Sequence, residues 1–285
     1  MQFSSCLGWL LIVCVPFTAT REDVSLSSEK LVPLSNAYAH NDYWHKRPLL
    51  DALANGYTSI EVDIYHVGDE FVVSHFFPIF KSGRTLEHLY LEPLYKCIIQ
   101  NNGHVYNGYE KPIVLMIDIK MNGSRTYRAL KPLLEKYASI LTSYENGIVT
   151  ERQVIVVLSG SKPFELVRSE NRRLAFIDED LKGIATSKDA SSVCPVASCH
   201  FNKLLSWDGY GEMPASDRIT LKQFVNMAHQ QGKKVRLWAS PENEKVWGEL
   251  LVCGVDLINT DKLVVLKNFL LSNIRSSKDA SLVKN

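Results

Sequence analysis

Two carboxylates, Glu61 and Asp63, lie inside the strand-like run TSIEVDIY at residues 58–65. Because side chains alternate along a strand, these two point to the same side, roughly 6.5 Å apart along the chain. Carboxylates on one face of a buried strand repel each other unless a positive group lies between them, and a divalent cation is the obvious candidate. A half-exposed strand with a solvated acidic face is the alternative, and both interpretations fit these residues.

A third carboxylate and two histidines extend this pattern. Asp118 and Lys120 are also two residues apart, in the run PIVLMIDIK, so an amine accompanies the carboxylate. Carboxylate oxygens select Mg²⁺ or Ca²⁺ over zinc. His40 and His75 end two other strand-like runs, and two imidazoles flanking a phosphodiester can act as base or nucleophile and as leaving-group acid. The predicted metal ligands are Glu61, Asp63 and Asp118, and the predicted catalytic pair is His40 and His75.

These residues need a scaffold that brings several strand ends together. Strand-like and helix-like runs alternate along the chain, and eight strands with about seven helices predict an α/β fold, a (β/α)₈ TIM barrel. A doubly wound open sheet is the alternative. FVVSH (71–75) is predicted as an extra hairpin strand, and residues 181–200 as a Ser/Ala/Cys-rich loop where a helix is expected. The predicted barrel strands are AYAHND (37–42), TSIEVDIY (58–65), PIVLMIDIK (112–120), QVIVVLS (153–159), LAFID (174–178), KLLSWDG (203–209), KVRLWAS (234–240) and DLINTD (256–261).

In such a barrel the functional residues lie at the carboxyl ends of the strands. Lys120 is placed there to neutralise surplus acid or to hold an anionic substrate oxygen. Trp238 lies on the same side of its strand as Arg236, where an indole face can hold a quaternary ammonium such as choline. The predicted substrate-binding residues are Asn41, Lys120, Trp238 and Asn259, with Asp42, Asp178 and Asp208 as further polar strand ends. The other histidines are predicted to pack or to lie at the surface: His45, His66, His88, His104, His200 and His229.

The first 20 residues contain no charged side chain and carry an apolar run from Cys6 to Val15. This run is too short to cross a bilayer and indicates a cleaved secretory signal, with a membrane anchor or a buried helix as alternatives. We therefore expect a secreted monomer with a signal peptide at 1–20, one domain at 21–275 and a flexible tail at 276–285. Lys and Arg total 32 against 31 Asp and Glu, and the net charge of +1 argues against a nucleic-acid partner.

Four of the six cysteines lie beyond the predicted signal. Cys194 and Cys199 bracket PVAS in a loop-like stretch, and in a secreted protein they are predicted to form a disulfide, with a zinc site as the alternative. Cys97 and Cys253 fall in predicted helices and are expected to be buried thiols, although a bridge between them is left open. The sequence NGS makes Asn122 a predicted glycosylation site.

The pattern AHNDY…RPLLDALANGYTSIEVDIY…VVSH resembles the PLC-like phosphodiesterase superfamily, which includes the glycerophosphodiester phosphodiesterases and the sphingomyelinase D toxins. With RTLEHLYLEPL after the second histidine, the chain is most similar to the altered inheritance of mitochondria protein 6 family. The resemblance runs from about residue 36 to residue 120 and continues more weakly to GVDLINTD. The order H…ExD…H…DxK is specific, whereas any one of its pieces alone is weak.

The resemblance implies a role for each matching residue. It assigns catalysis to His40 and His75, and metal binding to Glu61, Asp63 and Asp118. Lys120 matches the lysine of the toxins' DIK motif, and Trp238 resembles the aromatic residue on strand 7 that lines their head-group pocket. The glycerophosphodiester enzymes have HRG after strand 1 and a glutamate as third ligand. This chain has HND and Asp118, which puts a glycerophosphodiester substrate in doubt.

The expected function is that of a secreted phosphoric diester hydrolase, or a lyase forming a cyclic phosphate, that depends on Mg²⁺ or Ca²⁺. Its expected substrate is a lipid-derived or small phosphodiester, with peripheral contact to membrane lipid. One alternative is a metal-independent enzyme like phosphatidylinositol phospholipase C. Another is a non-catalytic barrel that binds a lipid or another ligand.

Overall fold

The computed structural model describes residues 31–78 and 81–282, and eight parallel strands form its centre. The structure confirms the predicted TIM barrel, with every predicted strand but one overlapping a strand of the barrel. The predicted signal peptide at 1–20 lies outside the described residues. The barrel strands are β1 (Leu34–Ala39), β2 (Tyr57–Val67), β3 (Ile113–Ile119), β4 (Val154–Gly160), β5 (Ala175–Asp180), β6 (Val196–His200), β7 (Lys234–Trp238) and β8 (Ile258–Thr260).

Each strand from β1 to β6 pairs in parallel with the next one, and β8 pairs in parallel with β1. The remaining gap, between β7 and β8, is bridged by a single parallel pair of Arg236 with Leu257. The sheet therefore curls into a nearly closed barrel, and the carboxyl ends of all eight strands surround one mouth.

Side-chain alternation divides each strand between two environments. On β3, Ile113, Leu115, Ile117 and Ile119 pack outward with the helices. The alternate residues Val114 and Met116 join a smaller apolar cluster that fills the lower barrel. The next inward position toward the mouth is Asp118, so the same alternation that buries the apolar residues directs the carboxylate into the mouth.

The helices form the outer layer. A short 3₁₀ turn at Asp42–Trp44 follows β1, and a π-helical turn at Glu87–Leu91 leads into the second helix. No helix in the described ranges is long and apolar enough to span a membrane. The helices are α1 (Leu50–Ala54), α2 (Glu92–Gln100), α3 (Gly123–Lys136), α4 (Phe164–Ser169), α5 (Phe201–Leu204), α6 (Ala215–Gln230), α7 (Glu244–Val252) and α8 (Leu263–Leu282).

The sixth strand differs from its prediction. It is formed by VASCH, which belongs to the stretch predicted as a loop, whereas KLLSWDG covers the end of α5 and an irregular segment. Ala197 and Cys199 pack outward with the helices, and Val196 packs inward. Small side chains are therefore enough for this strand to pack on both of its faces. Asp208 is consequently exposed in the segment after α5 and is not at the end of a barrel strand.

The predicted disulfide between Cys194 and Cys199 is wrong, because both cysteines are free and buried. Cys199 lies in β6, and extended chain rises about 3.3 Å per residue. Alpha-carbons five residues apart are then much farther apart than the ~7 Å that a disulfide permits. Burial raises the pKa of both thiols to about 12. Cys97 and Cys253 are buried free thiols, as predicted.

Smaller features complete the fold. The predicted hairpin strand is present at Glu70–Val73, antiparallel to β2. A three-stranded sheet of Ser143–Glu145, Ile148–Thr150 and Arg172–Arg173 was not predicted. Helix α8 continues to Leu282, well into the segment expected to be a flexible tail. Asn122 is exposed in the turn after β3, which leaves its glycosylation a prediction.

Candidate active site

Three carboxylates converge at the barrel mouth. Asp63 on β2 lies beside Asp118 on β3 in the parallel register, and Glu61 is one inward position lower on β2. Oxygens from the three side chains all lie within 4.8 Å of one another. Gly160 on β4, with a positive φ of 66°, leaves room for this arrangement, since a Cβ there would meet Asp118 Oδ1 at 2.3 Å. The structure thus brings together the three predicted metal ligands.

Lys120 lies among these carboxylates. Its Nζ is 2.6 Å from Asp63 Oδ2 and 3.3 Å from Asp118 Oδ1. Burial lowers the pKa of Lys120, but Asp118 and Asp63 outweigh that effect and the net shift is upward. Burial raises the pKa of Asp118, with Lys120 opposing it. Lys120 therefore offsets part of the negative charge as a full cation.

Glu61 is held from the opposite side of the barrel. Arg236 Nη2 and the Tyr38 hydroxyl both donate to Glu61 Oε2, each at 2.7 Å. Burial raises the pKa of Glu61, but Arg236 and, to a smaller extent, His40, Tyr38 and Lys120 together outweigh burial, and the net shift is downward. Asn259 accepts from Arg236 Nε at 3.0 Å. Glu61 is therefore an ionised carboxylate with one oxygen already committed to its neighbours.

His75 follows the hairpin strand and approaches the carboxylates through Nδ1. This nitrogen lies 2.7 Å from Asp63 Oδ2, and because a carboxylate only accepts, His75 Nδ1 carries the proton. The Tyr43 hydroxyl lies 2.7 Å from the same oxygen and 2.7 Å from Asn41 Oδ1. The neutral His75 ring then has Nε2 as its basic nitrogen, and the ring lines the cavity.

His40 directly follows β1, the strand next to β2, and has a matching arrangement. Its Nδ1 lies 2.7 Å from Asp261 Oδ1, directly after β8. Burial lowers the pKa of His40, but the hydrogen bond with Asp261 and the nearby Glu61 outweigh it, and the net shift is upward. Asn41 Nδ2 lies 3.4 Å from the same Asp261 oxygen. Each predicted catalytic histidine thus has a carboxylate that orients its ring.

A cavity of about 510 Å³ opens above these groups. Six of the predicted site residues line it: His40, Glu61, His75, Asp118, Lys120 and Trp238. Asp63 is fully buried at its floor. Asn41 and Asn259 are also buried and do not line the cavity, and they hydrogen-bond to Tyr43 and Arg236, which leaves their substrate-binding role a prediction.

Several residues of the site lie outside the predicted set. The sequence places Arg236 only on the strand face of Trp238, and Asp261 only at the end of a strand-like run. His200 is predicted to pack or to lie at the surface, yet it lines the cavity with its ring 4.5 Å from Trp238. Position at a strand end is the signal that could have found Arg236 and Asp261, because β7 and β8 end near them. His200 ends β6, which lies in the stretch predicted as a loop, and carries no such signal.

Asp42 does not line the cavity but stabilises the loop that carries other residues of the site. It is fully buried, and its Oδ2 accepts from the Leu49 amide and from the Tyr90 hydroxyl at 2.9 Å. Burial raises its pKa to about 7, despite those two hydrogen bonds. Asp42, the last residue of the HND sequence, therefore anchors the loop that carries Tyr43.

This pKa predicts how stability changes with pH. The folded protein retains the Asp42 proton up to about pH 7, whereas the unfolded chain loses it near pH 4. Since the folded state binds more protons in this window, the free energy of unfolding should fall as pH rises from about 4 to about 7, by roughly 4 kcal/mol at most. In Asp42→Asn, the free energy of unfolding measured with urea should depend less steeply on pH over that window. The exposed control Asp69→Asn should keep the original slope, and equal slopes in all three proteins would contradict the assignment.

The carboxylate cluster fits a hard divalent cation. Asp63 Oδ1 is buried and has no hydrogen-bond partner in the described residues, although its other oxygen has three. A buried carboxylate oxygen without a partner is costly unless something positive binds it. All three donors are oxygens, which Mg²⁺ and Ca²⁺ prefer.

Comparisons with known proteins agree with this architecture. Residues 27–178 match the AIM6-like phosphodiesterase domain. Altered inheritance of mitochondria protein 6 of Eremothecium gossypii is 30% identical over 270 residues, which cover 83% of this chain and 69% of that protein. The protein of the same name from Saccharomyces cerevisiae strain YJM789 is 26% identical over 309 residues, with coverages of 86% and 76%.

A solved structure shares the fold. The crystal structure of a glycerophosphodiester phosphodiesterase from Parabacteroides distasonis superposes with a TM-score of 0.51. It covers 85% of this chain and 99% of that chain at 15% identity, so the likeness concerns the fold alone.

The barrel and its matched domain define the class of TIM-barrel proteins that carry a phosphodiesterase-type domain. Within this class, the chain belongs to the altered inheritance of mitochondria protein 6 family, the family of the AIM6-like phosphodiesterase domain. Its HND sequence and its Asp118 still differ from the glycerophosphodiester pattern described above.

Proposed function

We propose that the protein is a secreted, metal-dependent phosphodiesterase that cleaves a lipid-derived or small phosphodiester. The observation that carries this proposal is that Glu61, Asp63 and Asp118 converge beside two histidines, each oriented by a carboxylate. The apolar, uncharged residues 1–20 support secretion. Membership of a phosphodiesterase family supports the reaction class.

Each part of the site has a task in this proposal. Glu61, Asp63 and Asp118 would hold Mg²⁺ or Ca²⁺, and the bound cation would offset negative charge on the phosphoryl oxygens. Lys120 holds a phosphoryl oxygen of the substrate by charge. His40 and His75 approach from β1 and from the β2 hairpin, so their Nε2 atoms can serve the attacking and leaving oxygens separately. In-line displacement places those two oxygens on opposite faces of the phosphorus.

One observation favours a second candidate, a metal-independent phospholipase C-like enzyme. Lys120 Nζ lies between Asp63 and Asp118 and supplies a fixed positive charge at the carboxylates. In that case the histidine pair would act with Lys120 alone as the electrostatic partner of the phosphate.

A panel of phosphodiesters assayed with EDTA, Mg²⁺ and Ca²⁺ tests the proposal. Turnover that disappears in EDTA and returns with a divalent cation is the expected result. Turnover that survives EDTA would favour the Lys120-based candidate. Saturable binding of a phosphodiester without any turnover would reject both enzymes and favour the binding-protein alternative.

Exposed aromatic side chains beside His75 support a lipid-derived substrate and contact with a membrane surface. Trp44, Phe76 and Phe77 are 55%, 72% and 75% exposed. The backbone of the two phenylalanines is anchored, since the Tyr65 hydroxyl donates to the Phe76 carbonyl and Ser74 Oγ donates to the Phe77 carbonyl. Large aromatic side chains exposed to water beside a cavity are typical of an interaction surface.

The same surface carries positive charge. Lys81 is exposed and lines a cavity together with Trp44, Phe76 and Phe77, and Lys46 is exposed two residues after Trp44. Each lysine near an anionic bilayer contributes about 1 kcal/mol of attraction. We therefore propose that the face formed by Trp44, Phe76, Phe77, Lys46 and Lys81 docks on anionic lipid.

Removing the two phenylalanines should weaken vesicle binding. Phe76→Ser/Phe77→Ser should reduce partitioning onto phosphatidylserine-containing vesicles by roughly tenfold or more, because each buried phenyl ring contributes about 1.5–3 kcal/mol. Sedimentation with vesicles measures the effect. A matched control is Ile148→Ser/Val252→Ser, which removes two side chains of similar exposure, 70% and 68%, on other elements. Equal losses in both double variants would reject this docking face.

A further inference from the structure

Three lysines surround the side of the cavity that lies across the barrel from the β2 hairpin. Lys162, Lys182 and Lys203 follow β4, β5 and β6 by two or three residues, and all three line the cavity. Among the described residues, none of the three ammonium groups has a carboxylate within ion-pair distance. Lys162 Nζ instead donates to the backbone carbonyl of Asp178. Burial raises the pKa of Asp178 and Lys162 opposes that shift, so this carboxylate balances part of the Lys162 charge. The three lysines, here called the lysine rim, present positive charge to the cavity.

His200 adds a donor to the lysine rim. Its Nδ1 accepts from the Asn202 amide at 3.1 Å, so the neutral ring carries its proton on Nε2. The ring packs edge-on against Trp238, which is 39% exposed and lines the same cavity. Like charges near a protein surface repel by up to about 4 kcal/mol at 4 Å. The lysine rim therefore opposes the quaternary ammonium that Trp238 alone suggests, although four carboxylates also line the cavity.

A buried carboxylate lies next to the lysine rim. Asp178 is 5% exposed, lines the cavity, and its Oδ1 has no hydrogen-bond partner in the described residues. A buried acceptor of this kind is satisfied by a donor, and a hydroxyl group is the donor that a neutral ligand skeleton offers. The Ser159 and Ser198 side chains line the same wall.

We propose that the substrate's head group is a hydroxylated skeleton carrying a second anionic group, a phosphomonoester, which binds at the lysine rim while its hydroxyls bind Asp178. This rests on the proposed function, because the scissile phosphodiester then lies at the histidines and the carboxylate cluster. The aromatic face beside β2 and the lysine rim around β5 lie on opposite sides of the eight-stranded barrel. The apolar part of the substrate and its charged head group therefore extend in opposite directions from the scissile phosphate.

The test uses ligands that contain no phosphodiester, so that binding is measured apart from turnover. Isothermal titration in Mg²⁺ compares fructose 6-phosphate with fructose 1,6-bisphosphate and with hexane-1,6-diol bisphosphate. We expect the sugar bisphosphate to bind at least about tenfold more tightly than the monophosphate at low salt, with the difference shrinking as salt rises. The diol bisphosphate should bind several-fold more weakly than the sugar bisphosphate, because it lacks hydroxyls for Asp178.

Lys182→Gln/Lys203→Gln removes two exposed cations and should abolish the preference for the bisphosphate. Lys222→Gln/Lys267→Gln removes two charges on α6 and α8, outside the cavity, and should keep it. Equal affinity for the monophosphate and the bisphosphate, or equal losses in both double variants, would overturn the phosphomonoester assignment. Equal affinity for the two bisphosphates would overturn the role of Asp178. Absence of turnover on every diester of the panel, with this binding pattern intact, would instead count against the proposed reaction.

Discussion

Asp63→Asn should lower the affinity for Mg²⁺ by roughly 100-fold or more and reduce turnover by about 10²–10³-fold. Loss of a mere supporting partner of a metal ligand already costs roughly 10–100-fold in affinity, and Asp63 would be a ligand itself. The substitution keeps the shape of the side chain but removes its charge. The amide of the asparagine offers a single neutral acceptor oxygen, whereas the carboxylate of Asp63 accepts from His75, Lys120 and Tyr43.

Because Asp63 also orients His75, the cation must be measured directly. Mn²⁺ binding followed by electron paramagnetic resonance gives the affinity without any assay of activity. Asp118→Asn is the second test, since Asp118 has no contact with either histidine and should lose affinity in the same way. The exposed Asp69→Asn in the hairpin turn is the control and should bind as the original protein does. Unchanged Mn²⁺ affinity in both Asp63→Asn and Asp118→Asn would defeat the metal assignment.

His75→Ala should reduce turnover by roughly 10²–10⁴-fold on a substrate with an alkoxide leaving group, the usual contribution of a general acid or base. On a nitrophenyl ester the loss should be much smaller, because that leaving group departs without a proton. His40→Ala should be equally damaging on both substrates, since we assign His40 as base or nucleophile on the opposite side of the phosphate. The ratio of kcat between the two leaving groups is the measurement.

The two histidines could exchange these roles, and the same experiment detects it. A leaving-group effect in His40→Ala and none in His75→Ala would assign the general acid to His40. His88→Ala changes an exposed histidine paired with Glu92 outside the cavity, and it should leave both rates unchanged. Full activity in His40→Ala and in His75→Ala would end the assignment of catalysis to this pair.

Local alternation explains why much of the site can be predicted from the amino-acid sequence. Glu61 and Asp63 share one face of β2, and Asp118 occupies the inward register on β3 beside Asp63. Period-two patterning requires only a few consecutive residues, so the alternating apolar residues specify both the barrel wall and the direction of the acids. The order of strands and helices then specifies which ends share a mouth.

The same local reasoning fails where local signals are weak. VASCH is rich in small residues and has little strand propensity, yet it forms β6 because its neighbours β5 and β7 supply the hydrogen bonds. KLLSWDG has the stronger strand pattern and lies outside the barrel. A loop over VASCH would allow Cys194 and Cys199 to approach and bridge, so the disulfide prediction fails together with that assignment.

The partners of the predicted residues depend on closure of the barrel. Arg236 reaches Glu61 across 175 residues of sequence, and Asp261 reaches His40 across 221. His200 and the lysine rim share a cavity with the carboxylates only because β4 to β7 curve around the same axis. Side-chain direction is set by neighbouring residues along a strand and can be read from them. The charge that faces each side chain across the barrel is set by contacts between distant strands, and no local pattern contains it.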